Sequence, residues 1–107
     1  MKLTNKFLKS RNFSFEVIPS EESGDVPFCY WVLDLFHENN EFADVTLISN
    51  SIDVDQEIED KPKEILKHRD LIWTITLFEG RYGFCETEEE LDILIKALKK
   101  LEPKENE

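Results

Sequence analysis

Residues 71–101 constrain the fold more than any other stretch, because a strand pair and a capped helix follow one another there directly. Leu71-Ile72-Trp73-Thr74-Ile75-Thr76-Leu77-Phe78 is β-branched and aromatic, a composition that suits a pleated, half-buried surface. Glu79-Gly80-Arg81 puts a glycine where the chain must reverse, and Tyr82-Gly83-Phe84-Cys85 returns beside the first strand as a hairpin. Thr87 precedes Glu90 by the capping-box spacing. The Thr87 hydroxyl is expected to accept the Glu90 amide, and the Glu90 carboxylate to accept the Thr87 amide. Leu91, Leu94, Ile95, Leu98 and Leu101 then recur at helical spacing as one apolar stripe. Acids fill the first turn and Lys96, Lys99 and Lys100 the last, so the charges oppose the helix macrodipole. A hairpin with a helix folded back over it is a scaffold rather than an active site.

The preceding residues supply the remaining layers. Residues 4–11 read as a short helix, with Thr4 as N-cap, Leu3, Phe7 and Leu8 facing inward, and Lys6, Lys9 and Arg11 on the outer side. Phe13-Ser14-Phe15-Glu16-Val17 alternates with the period of a half-buried strand that Pro19 ends. Residues 20–27 form a polar loop bounded by Gly24 and Pro27. Residues 28–36 are the most aromatic run and read as a strand. Cys29, Trp31, Leu33 and Leu35 share one face of it, and Tyr30, Val32, Asp34 and Phe36 the other. His37-Glu38-Asn39-Asn40-Glu41 is a turn, and residues 42–49 return with Ala43, Val45 and Leu47 on a common face. Residues 50–61 are acidic, with part of them an edge strand. A short helix follows, capped by Asp60 or Lys61, with Pro62 in its first turn and Ile65 and Leu66 inward. The expected fold is α+β: an antiparallel sheet of about five strands with helices packed on it, in the order α-β-β-β-α-β-β-α. The 107 residues make one domain, with residues 102–107 a frayed charged tail.

Charge is the second strong feature. Residues 12–60 hold 13 Asp or Glu and no Lys or Arg, whereas the other segments hold 11 acids and all 13 bases. So one-sided a distribution attracts basic partners at long range, and it offers no basic patch to displace counterions from a nucleic-acid backbone. Direct nucleic-acid binding is therefore not expected. No run of about 18 apolar residues exists to span a bilayer, and the first residues lack the apolar region of a secretory signal. Cys29 and Cys85 stand too far apart in sequence to suggest a disulfide framework, so reduced thiols and a cytoplasmic setting are expected.

Several chemistries fit poorly. Asp53-Val54-Asp55-Gln56-Glu57-Ile58-Glu59 has calcium-loop spacing, with Glu64 at the twelfth position. Ile58 occupies the place of the turn glycine, however, and Pro62 falls inside the loop. Cys29, Cys85, His37 and His68 lack short zinc-ligand spacings. Cys85 precedes a helix N-terminus, yet Glu86, Glu88, Glu89 and Glu90 oppose its thiolate. Asp34 is expected on the wet face of its strand. Gly24, Gly80 and Gly83 form neither a P-loop nor a dinucleotide fingerprint. The expectation is a non-enzymatic protein with no metal and no cofactor.

A compact acidic domain can dock in the basic cleft of a nucleic-acid-handling protein, steered by charge and anchored by a few aromatics. The leading expectation is thus a stoichiometric inhibitor of a basic protein partner, of the immunity or phage anti-defence type, acting as monomer or homodimer. The candidate partner-binding residues are Glu21, Glu22 and Asp25 in the polar loop, Glu38 and Glu41 in the turn, and Asp53, Asp55, Glu57, Glu59 and Asp60 in the acidic segment. Tyr30 and Phe36 would anchor if they lie on the outer sheet face. In element order, acidity and size the chain also resembles small acidic type III secretion chaperones. That resemblance implies a dimer that binds an extended effector segment through apolar sheet residues. A third expectation is a nucleic-acid mimic, with carboxylates in place of phosphates.

Overall fold

Alternating apolar residues in five stretches commit the chain to a sheet with one dry side, and the register of that sheet decides what is left exposed. The computed structural model describes residues 1–35, 45–67, 73–77 and 82–100. The elements are α1 (Asn5–Ser10), β1 (Ser14–Ile18), α2 (Ser20–Ser23), β2 (Phe28–Leu35), β3 (Val45–Ser49), β4 (Ile52–Asp53), a 3-10 turn (Gln56–Ile58), α3 (Pro62–Lys67), β5 (Ile75–Leu77), β6 (Tyr82–Cys85) and α4 (Glu88–Lys99). The fold is α+β, and its order follows the sequence expectation with additions: α2, a one-turn helix within what reads as a loop, and, within the acidic segment 50–61, the short strand β4 and the 3-10 turn. Residues 36–44, 68–72, 78–81 and 101–107 lie outside the described residues, and with them the turns expected at 37–41 and 79–81, the strand ends expected at Phe36, 42–44, 71–72 and Phe78, His68, Arg69 and the expected charged tail.

All strand pairs are antiparallel. The sheet runs β1-β2-β3-β5-β6, with β4 lying against β2 beyond the end of β3. The β2–β3 register pairs Val32 with Ile48, and β2–β4 pairs Cys29 with Ile52, so the returning strand gains one residue between them. That extra residue is a bulge at Ser49–Ser51. Ser49, 6% exposed, closes it: its hydroxyl accepts the Trp31 amide at 2.7 Å and donates to the Asn50 carbonyl at 2.9 Å. A main-chain donor that the break would strand in the interior is thereby satisfied. Asn50 extends the neighbouring ladder, since its amide donates to the Thr74 carbonyl at 3.1 Å while its Oδ1 accepts the Thr74 amide at 2.9 Å. Trp73 and Thr74, expected in the strand, precede β5 among the described residues. A second irregularity falls in the β5–β6 pair, where Thr76 faces Phe84 and Leu77 faces Tyr82, leaving Gly83 as the additional residue.

The register puts Phe15, Val17, Cys29, Trp31, Leu33, Leu47 and Ile75 on one side of the sheet. Leu8 of α1, Ile65 of α3 and Leu91, Ile95 and Leu98 of α4 join these residues in a single core. The termini of α1 explain its position. Thr4 Oγ1 accepts the Phe7 amide at 3.1 Å, as expected. At the other end Asn12 takes the left-handed conformation (φ 69°), with Asn12 N–H to the Lys9 carbonyl and Phe13 N–H to the Leu8 carbonyl, a Schellman closure that drops Phe13 into the core beside Leu8. Asn5 fixes the helix to the sheet. Its Oδ1 accepts both indole N–H groups, from Trp31 at 3.2 Å and Trp73 at 2.7 Å. Arg11 then grips α4 in a two-pronged contact with Asp92, at 2.7 and 2.9 Å, while its guanidinium lies 4.3 Å from the centre of the Phe7 ring. The capping box of α4 differs from expectation in one bond. Thr87 Oγ1 accepts the Glu90 amide at 3.2 Å, but Glu90 Oε1 accepts the Glu86 amide and the Thr87 hydroxyl rather than the Thr87 amide.

Candidate functional site: an acidic shoulder beside an open sheet face

Two acidic stretches distant in sequence meet at the end of the sheet where β2 begins. The junction rests on Glu59, whose Oε2 accepts the Ser20 amide at 3.0 Å and whose Oε1 accepts the Ser20 hydroxyl at 3.4 Å. Gln56 Nε2 donates to that hydroxyl at 3.1 Å. Ser20 opens α2 and carries one of the amides that a helix start leaves without a partner, so a carboxylate from elsewhere in the chain caps it. The Val54 amide donates to the Pro27 carbonyl at 2.8 Å and locks the strand end alongside. Gly24 (φ 76°) closes α2 with its amide on the Ser20 carbonyl.

This junction sorts the expected partner-binding residues. Glu21, Glu22 and Asp25 project from and just beyond α2, and Asp53, Asp55, Glu57 and Asp60 lie across from them; all seven are exposed. Glu59 is half-buried and engaged with Ser20, so its carboxylate holds the shoulder together instead of facing outward. Between the two groups lies an open depression of 400 Å³ lined by Asp25, Val26, Pro27, Val54, Asp55 and Gln56. Its lining combines apolar Val26, Pro27 and Val54 with the carboxylates of Asp25 and Asp55. That arrangement suits the aliphatic stem and cationic head of a lysine or arginine side chain. Phe36, Glu38 and Glu41 lie outside the described residues.

The side of the sheet opposite the core bears Ser14, Glu16, Ile18, Phe28, Tyr30, Val32, Asp34, Thr46, Ile48 and Thr76. Ile18, Phe28, Tyr30, Val32 and Ile48 are half-buried and stand apart from the core cluster. No described helix contributes a buried side chain to this face. Tyr30 thus takes the outer position considered for it, and Phe28, which sequence reasoning left out, stands beside it with ring centres 6.3 Å apart. The strand period that placed Tyr30 outward places Phe28 there equally, two residues earlier. Asp34 is exposed on the same face and accepts the Thr46 hydroxyl at 2.8 Å. No Lys, Arg or His occupies any described position of the face.

Cys29 and Cys85 are buried thiols. Burial first, and the Glu90 carboxylate second, push the Cys85 thiol above its ordinary value, away from thiolate. Among the described residues no three His, Cys, Asp or Glu side chains gather as a metal ion would require, and no helix is long and apolar enough to cross a membrane. Comparison with protein-family models, with curated proteins and with solved structures found no match to this chain.

Proposed function

We propose that this chain is a non-enzymatic protein-binding domain that acts as a stoichiometric inhibitor, docking its acidic shoulder in the basic cleft of a nucleic-acid-handling protein. The observation that carries the reading is the union of the 21–25 and 53–60 carboxylates across the Glu59–Ser20 bonds, beside the half-buried rings of Phe28 and Tyr30. Seven exposed carboxylates on the two stretches that Glu59 and Ser20 join focus a negative potential that steers a cationic surface. The adjacent aromatics supply the apolar contact area that charge alone does not. A second reading, an adaptor or chaperone for a protein segment, is favoured by the open sheet face, which offers apolar side chains.

Salt separates the two. The tagged chain is used to capture proteins from its native host at low and at raised ionic strength, and the captured partner's activity is assayed with and without equimolar chain. Inhibitor docking predicts a basic partner, released as salt rises, whose activity falls at a one-to-one ratio. A partner retained at raised salt with its activity intact would favour the adaptor reading and sink the inhibitor.

A further inference from the structure

We propose that the open sheet face seats a cationic amphipathic helix supplied by the protein partner; this rests on the reading of the chain as a domain that binds a basic protein. Ile18, Phe28, Tyr30, Val32 and Ile48 span the three adjacent strands β1, β2 and β3. Strands lie about 4.8 Å apart, so three of them present a width matching a helix of about 10 Å diameter. From Phe28 to Val32 the apolar band runs about 13 Å along β2, enough for roughly two and a half helical turns. Carboxylates frame the band: Glu16 opposite Tyr30, Asp53 opposite Phe28, and Asp34 one step beyond Val32 on the same face. An occupant that satisfies both features carries an apolar stripe with Lys or Arg along its flanks.

Charge argues against the other candidates. A second copy paired about a two-fold axis would bring Glu16 and Asp34 against the same face of its partner, like charge on like. An anionic lipid surface would be repelled in the same way. An extended peptide would add to the edge strand β1 through its main chain and leave the face uncovered.

Amide chemical shifts of the full-length isotope-labelled chain test this, with three synthetic peptides of about 18 residues, the length of a stable amphipathic helix. One is an amphipathic Leu/Lys helix, one the same composition scrambled, and one the Leu/Glu counterpart. The Leu/Lys helix is expected to shift the amides of residues 14–18, 28–34 and 46–48, the scrambled and acidic peptides to bind far more weakly. Tyr30→Ser is expected to weaken the Leu/Lys helix at least about tenfold. Shifts confined to residues 20–25 and 53–60 would overturn the seat on the sheet face and leave the acidic shoulder standing, as would equal binding of the scrambled peptide. A chain that sediments as a dimer dispersed by Tyr30→Ser would give the face to a second copy and overturn the proposal. Failure of the Leu/Lys helix to bind the unmodified chain at low salt would overturn this proposal, whereas the inhibitor reading is overturned by the capture experiment.

Discussion

A single amide oxygen on Asn5 accepts the indole N–H groups of two tryptophans that are 2% and 1% exposed, which concentrates two buried hydrogen bonds in one side chain. Asn5→Ala leaves both donors without a partner in the interior, at about 1–3 kcal/mol each, so a loss of roughly 2–6 kcal/mol is expected in urea unfolding. Asn5→Asp keeps an acceptor and should retain most of the stability; equal losses in the two variants would dismiss the shared acceptor. Arg11 and Asp92 make a different prediction. The hydrogen bond from Arg11 holds the Asp92 carboxyl below its ordinary value, so the folded chain binds that proton less readily than the unfolded chain. Its contribution is complete above the unfolded aspartate value of about 3.9 and disappears as pH falls through the lower folded value. The stability difference between the parent chain and Asp92→Asn should stay level from neutral pH to about 5 and close as the solution becomes more acid than about pH 4. It should also be modest, because the side chains are 38% and 46% exposed and solvent screens the pair. A difference that ignored pH would place the contact outside the folded molecule in solution.

At the scale of elements, the junction of α2 with the 3-10 turn depends on a carboxylate that looks, in the sequence, like its neighbours. Glu59→Ala removes the acceptor of the Ser20 amide and should cost about 1–2 kcal/mol, whereas Glu57→Ala, exposed on the same turn, should stay within about 0.5 kcal/mol. Matching chemical-denaturation curves for the two variants would contradict that division. This pair also shows what sequence reading reaches. Thr4 and Thr87 cap amides three residues onward, a local pattern visible in the chain. Glu59 and Ser20 stand 39 residues apart, Asn5 and Trp73 stand 68 apart, and no periodicity links them. The α4 stripe from Leu91 to Leu98 and the outward side of β2 from Tyr30 to Asp34 follow from period alone, and the structure places them accordingly. The α2 helix is too short to carry an apolar period, although Pro19 before it, Glu21 and Glu22 in its first turn and Gly24 at its stop are start and stop signals. The bulge at Ser49–Ser51 had only its run of small polar residues to mark it.

Across the whole molecule, the layers differ in charge. The helices α1 and α4 bring Lys6, Lys9, Lys96 and Lys99 to the exposed side of the helical layer, while the open face and the shoulder carry carboxylates and no base from residues 12–60. The sequence states the imbalance, but only the sheet register and the Glu59 bonds gather its members, since they come from α2, β1, β2, β4 and the turn beyond. Crowding them raises the energy of the folded state through mutual repulsion, which salt relieves within a Debye length of about 8–10 Å. Melting temperature should therefore rise as ionic strength goes from about 0.01 to about 0.15 M, over the same range in which partner binding weakens. Folding and docking thus respond to salt with opposite signs, and a melting temperature that fell on adding salt would mean the repulsion is not there. The two tryptophans, finally, both lie in the core, and the chain has no others. Intrinsic indole emission will follow loss of the folded state and stay silent as a ligand settles on the sheet or the shoulder, so a titration needs a dye on the incoming molecule.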